Sequence, residues 1–134
     1  RWIVMDNHGS RRDDEAREAP NPIYQYTVPT PFDISSASLA TQINAQDEDP
    51  QGIAWNNDGS RLYEVGRNSD EIYQYTVSNS FDISSASFST SINTKGSSTT
   101  GIAWNSNGSR LYQVDKNSQE IHQFTVSSGG WETF

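Results

Sequence analysis

The chain has no cysteine among its 134 residues. Disulfides and thiolate metal sites are thereby excluded, which is compatible with an oxidising compartment without requiring one. Histidine is almost as scarce, at two residues, His8 and His122. Two isolated imidazoles build no histidine zinc cluster, no nucleophile–histidine–acid set recurs, and no glycine-rich phosphate loop is present. Cations are few: 9 Lys and Arg against 17 Asp and Glu give a net charge of −8 and a pI near 4.5. Such a field repels phosphate backbones and anionic bilayers, which argues against nucleic acid or membrane partners. No run approaches the roughly 18 apolar residues of a membrane helix. No signal peptide is visible, and an opening at Arg1 rather than Met is expected of a processed or excised chain.

Apolar residues are themselves scarce, at 32%, with a mean hydropathy of −0.79. Low hydrophobicity would suit disorder, but only 19% of residues are charged. The apolar ones gather in short runs rich in Ile, Val, Tyr and Trp, the pattern of folded strands. A folded β-protein with a polar surface follows, long enough for one core.

What organises the chain is repetition. Gly52–Val77 (GIAWNNDGSRLYEVGRNSDEIYQYTV) and Gly101–Val126 (GIAWNSNGSRLYQVDKNSQEIHQFTV) align without a gap, with 18 of 26 positions identical at an offset of 49 residues. Ile23, Ile72 and Ile121 continue the same spacing. A period of this size marks a repeat architecture. The chain then divides into a degenerate first unit (1–51), a second unit (52–100) and an incomplete third (101–134), all in one repeat domain, 1–134.

Each unit reads as four antiparallel strands. GIAW is short and apolar, and it ends at Asp58-Gly59 or Asn107-Gly108, a hairpin signal whose residues tolerate positive φ. RLYEV or RLYQV returns beside it. IYQYTV (Ile23–Val28, Ile72–Val77) and IHQFTV (Ile121–Val126) alternate two sets of side chains and suit a strand packed on both faces. FDISSAS (Phe32–Ser38, Phe81–Ser87) places Asp33 and Asp82 as caps of a turn or short helix. Leu39–Ile43 and Phe88–Ile92 form a more polar, exposed fourth strand. Residues 1–22 fit poorly. Ile3–Arg11 matches Ile53–Arg61 at its Asn, Gly, Ser and Arg, which predicts a worn first strand followed by a long polar loop.

The gradient from an apolar first strand to a polar fourth fits a propeller blade, whose first strand lines the centre and whose fourth lies on the rim. The fold class expected is therefore all-β: four-stranded antiparallel blades of a β-propeller, with about two and two-thirds blades per chain. The quoted repeat, with its Pro50-Gln51-Gly52 opening and its Asp-Gly-Ser-Arg-Leu-Tyr-Glu-Val core, resembles the YVTN/NHL-type β-propeller repeat. That resemblance covers Pro50–Ser78 and Gly101–Ser127 and implies the fold. It says nearly nothing of activity, since propellers host hydrolases, lyases, adhesins and surface-layer proteins alike.

Chemistry-bearing residues are sparse. Asp47, Glu48 and Asp49 read as a solvated loop. They could ligate Ca²⁺, but the matching Gly96, Ser97 and Ser98 could not, so neither metal nor cofactor is expected. His122 stands where the sister strands carry Tyr24 and Tyr73 and reads as an aromatic substitute. Trp55 and Trp104 read as core rather than as sugar-stacking platforms. Asn107-Gly108-Ser109 fits the N-glycosylation pattern on an exposed turn. The expected function is a non-enzymatic module, extracellular or at the cell surface, that assembles with copies of itself as a surface, fibre or adhesive component. The alternative is a binding propeller that recognises carbohydrate or protein through its loops. A lactonase- or lyase-type enzyme ranks third, because no catalytic constellation is present. Propellers close with about four to eight blades, so copies of the chain are expected to complete one another. The worn strand at Trp2–Met5 and the closing WETF predict that Trp2, Ile3, Trp131 and Phe134 are buried between subunits.

Overall fold

The structure, a computed structural model, describes Trp2–Asp6 and residues 21–126. Its strands form three antiparallel sheets in chain order. The first contains β1 (Trp2–Asp6), β2 (Pro22–Thr27) and β3 (Ser38–Asn44). The second contains β4 (Pro50–Trp55), β5 (Arg61–Gly66), β6 (Glu71–Val77) and β7 (Ala86–Asn93). The third contains β8 (Thr99–Trp104), β9 (Arg110–Asp115) and β10 (Glu120–Thr125). Neighbouring strands in each sheet are sequence neighbours, so each sheet is a simple meander.

The repeat extends to local irregularities. Both β4 and β8 shift register at the same point, between Pro50 and Gly52 and between Thr99 and Gly101. β2 and β6 likewise bulge between Gln25 and Tyr26 and between Gln74 and Tyr75. The hairpins close as the glycines require: Gly59 and Gly108 both have φ 75°. Asp58 and Asn107 do not share that conformation. Each instead accepts, through Oδ1, the amide two residues on, at 3.0 Å (Ser60 and Ser109), the local side-chain bond that favours Asx residues in turns. Asp33 and Asp82 cap two 3-10 turns, Ile34–Ser36 and Ile83–Ser85, accepting from the amides of Ser35 and Ser84 at 3.0 Å.

One expectation needs correction. The likeness of Ile3–Arg11 to Ile53–Arg61 placed the opening strand in the innermost position. Instead β1 pairs directly with β2, with Trp2 opposite Thr27 and Asp6 opposite Ile23. In the second sheet Arg61 lies opposite Thr76 and Val65 opposite Ile72. β1 therefore occupies the place of β5, the second strand of a blade. Trp2–Asp6 aligns with Arg61–Val65, so the sequence match does not carry over to strand position.

The core lies between sheets. The front face of the second sheet carries Trp55, Leu62, Tyr73, Tyr75 and Val77 and packs on Ile23, Ile43 and Ala45 of the first. Its rear face carries Val65, Ile72 and Ile92 and packs on Ile102, Trp104, Leu111 and Phe124 of the third. Tyr63 reaches across to Trp104 with ring centroids 4.8 Å apart. Each sheet thus presents its rear to the front of the next, and β6 is buried on both sides, as its aromatic and β-branched alternation requires. Gly52 belongs to this stacking: a Cβ there would lie 3.3 Å from the Thr100 carbonyl of β8, so glycine lets two first strands run close together.

Candidate functional site

The sheet-to-sheet joint recurs, and it is the feature of the chain with the clearest functional content. In its first occurrence Ile23 is fully buried, and Gln25, also buried, accepts from the Ile83 amide at 2.8 Å. This bond joins residues 58 apart and fixes the 3-10 turn of one sheet against the rear of the sheet before it. Phe81, just upstream of that turn, is held at φ 62°. Its ring packs on Trp55 with centroids 5.2 Å apart, and its amide donates to the Gly59 carbonyl at 3.0 Å. The Phe81 ring lies where a Gly59 side chain would be, 2.6 Å from the position of a Cβ. Gly59 thus supplies both the turn and the seat for the ring. Phe32 repeats the conformation at φ 65°, and Asp70 and Gln119 form a second such pair, each at φ 60°. A left-handed residue that is not glycine costs roughly 1–2 kcal/mol, and both pairs recur at the repeat spacing.

The acidic loop is not a solvated knot. Asp47 is buried, and Asp49 pairs with Arg67 at 2.7 Å. The Asp47 carboxylate accepts from the amides of Asp49, Asn68 and Ser69 and from the Ser69 hydroxyl, at 2.6–3.2 Å. In the third sheet the same service comes from the opposite strand. There Asp115 accepts from the amides of Ser98 and Ser118, both at 2.8 Å, and these bonds hold its carboxyl below the ordinary aspartate range. The two solutions exclude one another. A Cβ on Gly66, the counterpart of Asp115, would lie 2.5 Å from Asp47 Oδ1, and a Cβ on Gly96, the counterpart of Asp47, would lie 2.6 Å from Asp115 Cγ. Asp47–Gly66 and Gly96–Asp115 are therefore one buried carboxylate supplied from alternate sides. Comparing both columns of the repeat at once reveals the exchange. Reading Asp47–Asp49 against Gly96–Ser98 alone conceals it.

Beneath this turn sits Glu64, fully buried. It accepts from the amides of Gln46 and Asp47, at 3.0 and 2.9 Å, and from the Tyr75 hydroxyl at 2.5 Å. Burial pushes its carboxyl above the ordinary value despite these donors, and burial together with Glu64 pushes the Tyr75 hydroxyl up as well. In the third sheet Gln113 takes the place of Glu64, accepting from the Lys95 amide at 3.1 Å and donating to Thr99 Oγ1 at 2.8 Å. An amide serves where the sister unit has an acid, so the position locks a turn and demands no charge. Among the described residues no group of three or more His, Asp or Glu could hold a metal ion.

Trp55 and Trp104 pack into the joints, as core readings require. His122 is half-buried on β10, with Nε2 3.4 Å from Glu120 Oε1. Asn107 is exposed on the β8–β9 turn, where its side-chain oxygen is committed to the Ser109 amide. The neighbouring hairpin reaches it: Asn57 Nδ2 donates to the Ser106 carbonyl. Of the predicted interface residues, Trp2 and Ile3 lie on β1, but their side chains, together with Trp131 and Phe134, fall outside the described residues. The joint is built instead by Ile23, Gln25, Ile83, Val65 and Ile72, which the repeat pattern marked as strand or turn residues without assigning them to an interface.

No protein-family model matches the chain, and neither does any curated protein. Solved structures do resemble it. A protein from Lactobacillus plantarum matches over 98% of this chain with a TM-score of 0.60 and 16% identity. The β-propeller domain of Cps50 (Swd1) from Myceliophteria thermophila matches over 79%, with a TM-score of 0.56 and 16% identity. A functionally unknown protein from Desulfotomaculum acetoxidans matches over 84%, with a TM-score of 0.53 and 14% identity. The chain spans about a third of the length of each, 33–35%. At such identities the likeness establishes the fold alone. The chain is all-β, and its stacked antiparallel sheets are blades of a partial β-propeller.

Proposed function

We propose that the chain is a non-enzymatic β-propeller repeat module of the YVTN/NHL type. It assembles with copies of itself and serves as an extracellular or cell-surface structural component. One observation carries the reading. Val65 and Ile72 on the rear of the second sheet are both 0% exposed, whereas their counterparts on the third, Val114 and Ile121, are 41% and 75% exposed. The same side chains that are core in one sheet stand bare in the next. Isoleucine and valine on one face of a sheet need a covering layer. Burying each such side chain is worth about 1.5–3 kcal/mol.

A second copy of the chain supplies such a layer without any new kind of contact. With three sheets among the described residues of each chain, two copies provide about six, within the roughly four to eight of closed propellers. β1 is already engaged as the second strand of the first sheet, so stacking of faces, not strand exchange, is the mode that this geometry favours. The test is the size of the purified chain by light scattering over a range of concentrations. Dimers, rings or filaments support the reading, and a species that stays monomeric at high micromolar concentration rejects it.

A further inference from the structure

The opposite end of the stack carries the other half of the joint. Ile83 is 0% exposed on the front of the second sheet, where it packs beside Tyr75 against Ile23 of the first. Its counterpart Ile34 is 71% exposed. Tyr24 and Tyr26, the counterparts of the buried Tyr73 and Tyr75, are only half-buried. At the far end, Gln123 is exposed where its counterpart Gln25 is buried and accepts from the Ile83 amide. Ile83 and Tyr75 of the internal joint thus recur as the more exposed Ile34 and Tyr26 on the front of the first sheet, and Ile23 and Gln25 recur as the exposed Ile121 and Gln123 on the rear of the third.

We propose that a second copy of this chain docks head-to-tail, its first sheet stacking on the third sheet of the copy before it. In this contact Gln123 Oε1 accepts from the Ile34 amide, and Ile34 and Tyr26 cover Ile121 as Ile83 and Tyr75 cover Ile23. The inference rests on the self-assembly reading and adds its polarity and register. The contact is heterologous, so repeating it closes a ring or extends a filament according to the rotation per copy. Continuity with the internal joint is what identifies the occupant: both halves of one interface lie on the same chain.

The test uses two variants of the full chain, Ile121→Asp and Ile34→Asp, each at an exposed position and each checked for native circular dichroism. The serine substitutions replace them if aspartate unfolds the chain. Each variant loses one half of the joint and keeps the other. Either alone is expected to be monomeric, while an equimolar mixture forms a one-to-one dimer through the single intact pairing. Gln123→Ala is expected to weaken wild-type association about 2- to 10-fold, the value of one neutral hydrogen bond. An Ile34→Asp chain that still assembles, or a mixture that stays monomeric while the wild type associates, overturns the head-to-tail contact and leaves self-assembly standing. A monomeric wild type overturns both.

Discussion

Exchange of the buried carboxylate across the inter-strand turn makes a quantitative prediction. Gly66→Asp places a second carboxyl into space that Asp47 fills, with Cβ 2.5 Å from Asp47 Oδ1. Overpacking costs roughly 1–3 kcal/mol, and two carboxylates that share one site cannot both remain ionised without a further penalty of similar size. A loss of about 3–5 kcal/mol is expected. Asp47→Gly fails differently, leaving the amides of Asp49, Asn68 and Ser69 without their acceptor. At about 1–3 kcal/mol for each buried donor left unsatisfied, softened by water entry, a loss of about 2–4 kcal/mol is expected. The double substitution recreates the arrangement of Gly96 and Asp115. Its loss should fall to about 1 kcal/mol, giving a coupling energy of several kcal/mol, beyond the range usual for neighbours. Urea unfolding followed by tryptophan fluorescence, at one protein concentration for all four chains, measures the cycle. Additive losses would refute the claim that the two positions supply one carboxylate.

The hairpin glycines should separate. Gly108→Ala meets no atom within 4 Å and should cost about 1–2 kcal/mol for its positive φ alone, while Gly59→Ala also displaces the Phe81 ring and should cost clearly more; equal losses in thermal melts would contradict this. Glu64 has a folded pKa raised above its ordinary 4.5. Its contribution to stability is therefore full below that value and is lost as pH rises through the folded pKa. Glu64→Gln, which copies the amide of Gln113, should flatten the dependence of melting temperature on pH above 4.5, and an unchanged slope would argue against an acid strained by burial. Asp115 runs the other way: its lowered pKa stabilises above the ordinary 3.8, and that stability is lost as pH falls through the folded value. Asp115→Asn should lessen acid sensitivity below pH 4, as read by circular dichroism. Chelation with EDTA should leave the melting temperature unchanged, and a drop restored by Ca²⁺ would expose a missed site.

Much of the fold was legible because it is written twice. The 49-residue offset, the hairpin glycines, the Asp33 and Asp82 caps and the double burial of β6 all follow from local chemistry. Local chemistry is also where legibility stopped. The place of β1 depends on which strand it pairs with, and a local match at Asn, Gly, Ser and Arg carries no information about pairing. Asp47 looked solvated because three acids in a row are usually exposed. Its burial depends on the missing side chain of Gly66, distant in sequence and adjacent in space. The seat of the Phe81 ring over Gly59 was hidden for a similar reason, since it joins two turns that are separate in sequence. The candidate interface was the least legible part. Ile72 and Ile121 are the same residue in the same motif, and what distinguishes core from surface is that a following sheet packs on Ile72 while, among the described residues, none packs on Ile121.

Sedimentation equilibrium of the unmodified chain tests the central claim most directly. Self-assembly predicts a mass of about twice 15.0 kDa or a higher multiple, with Ile121→Asp reducing it to one chain. A folded, concentration-independent species of 15.0 kDa would contradict it.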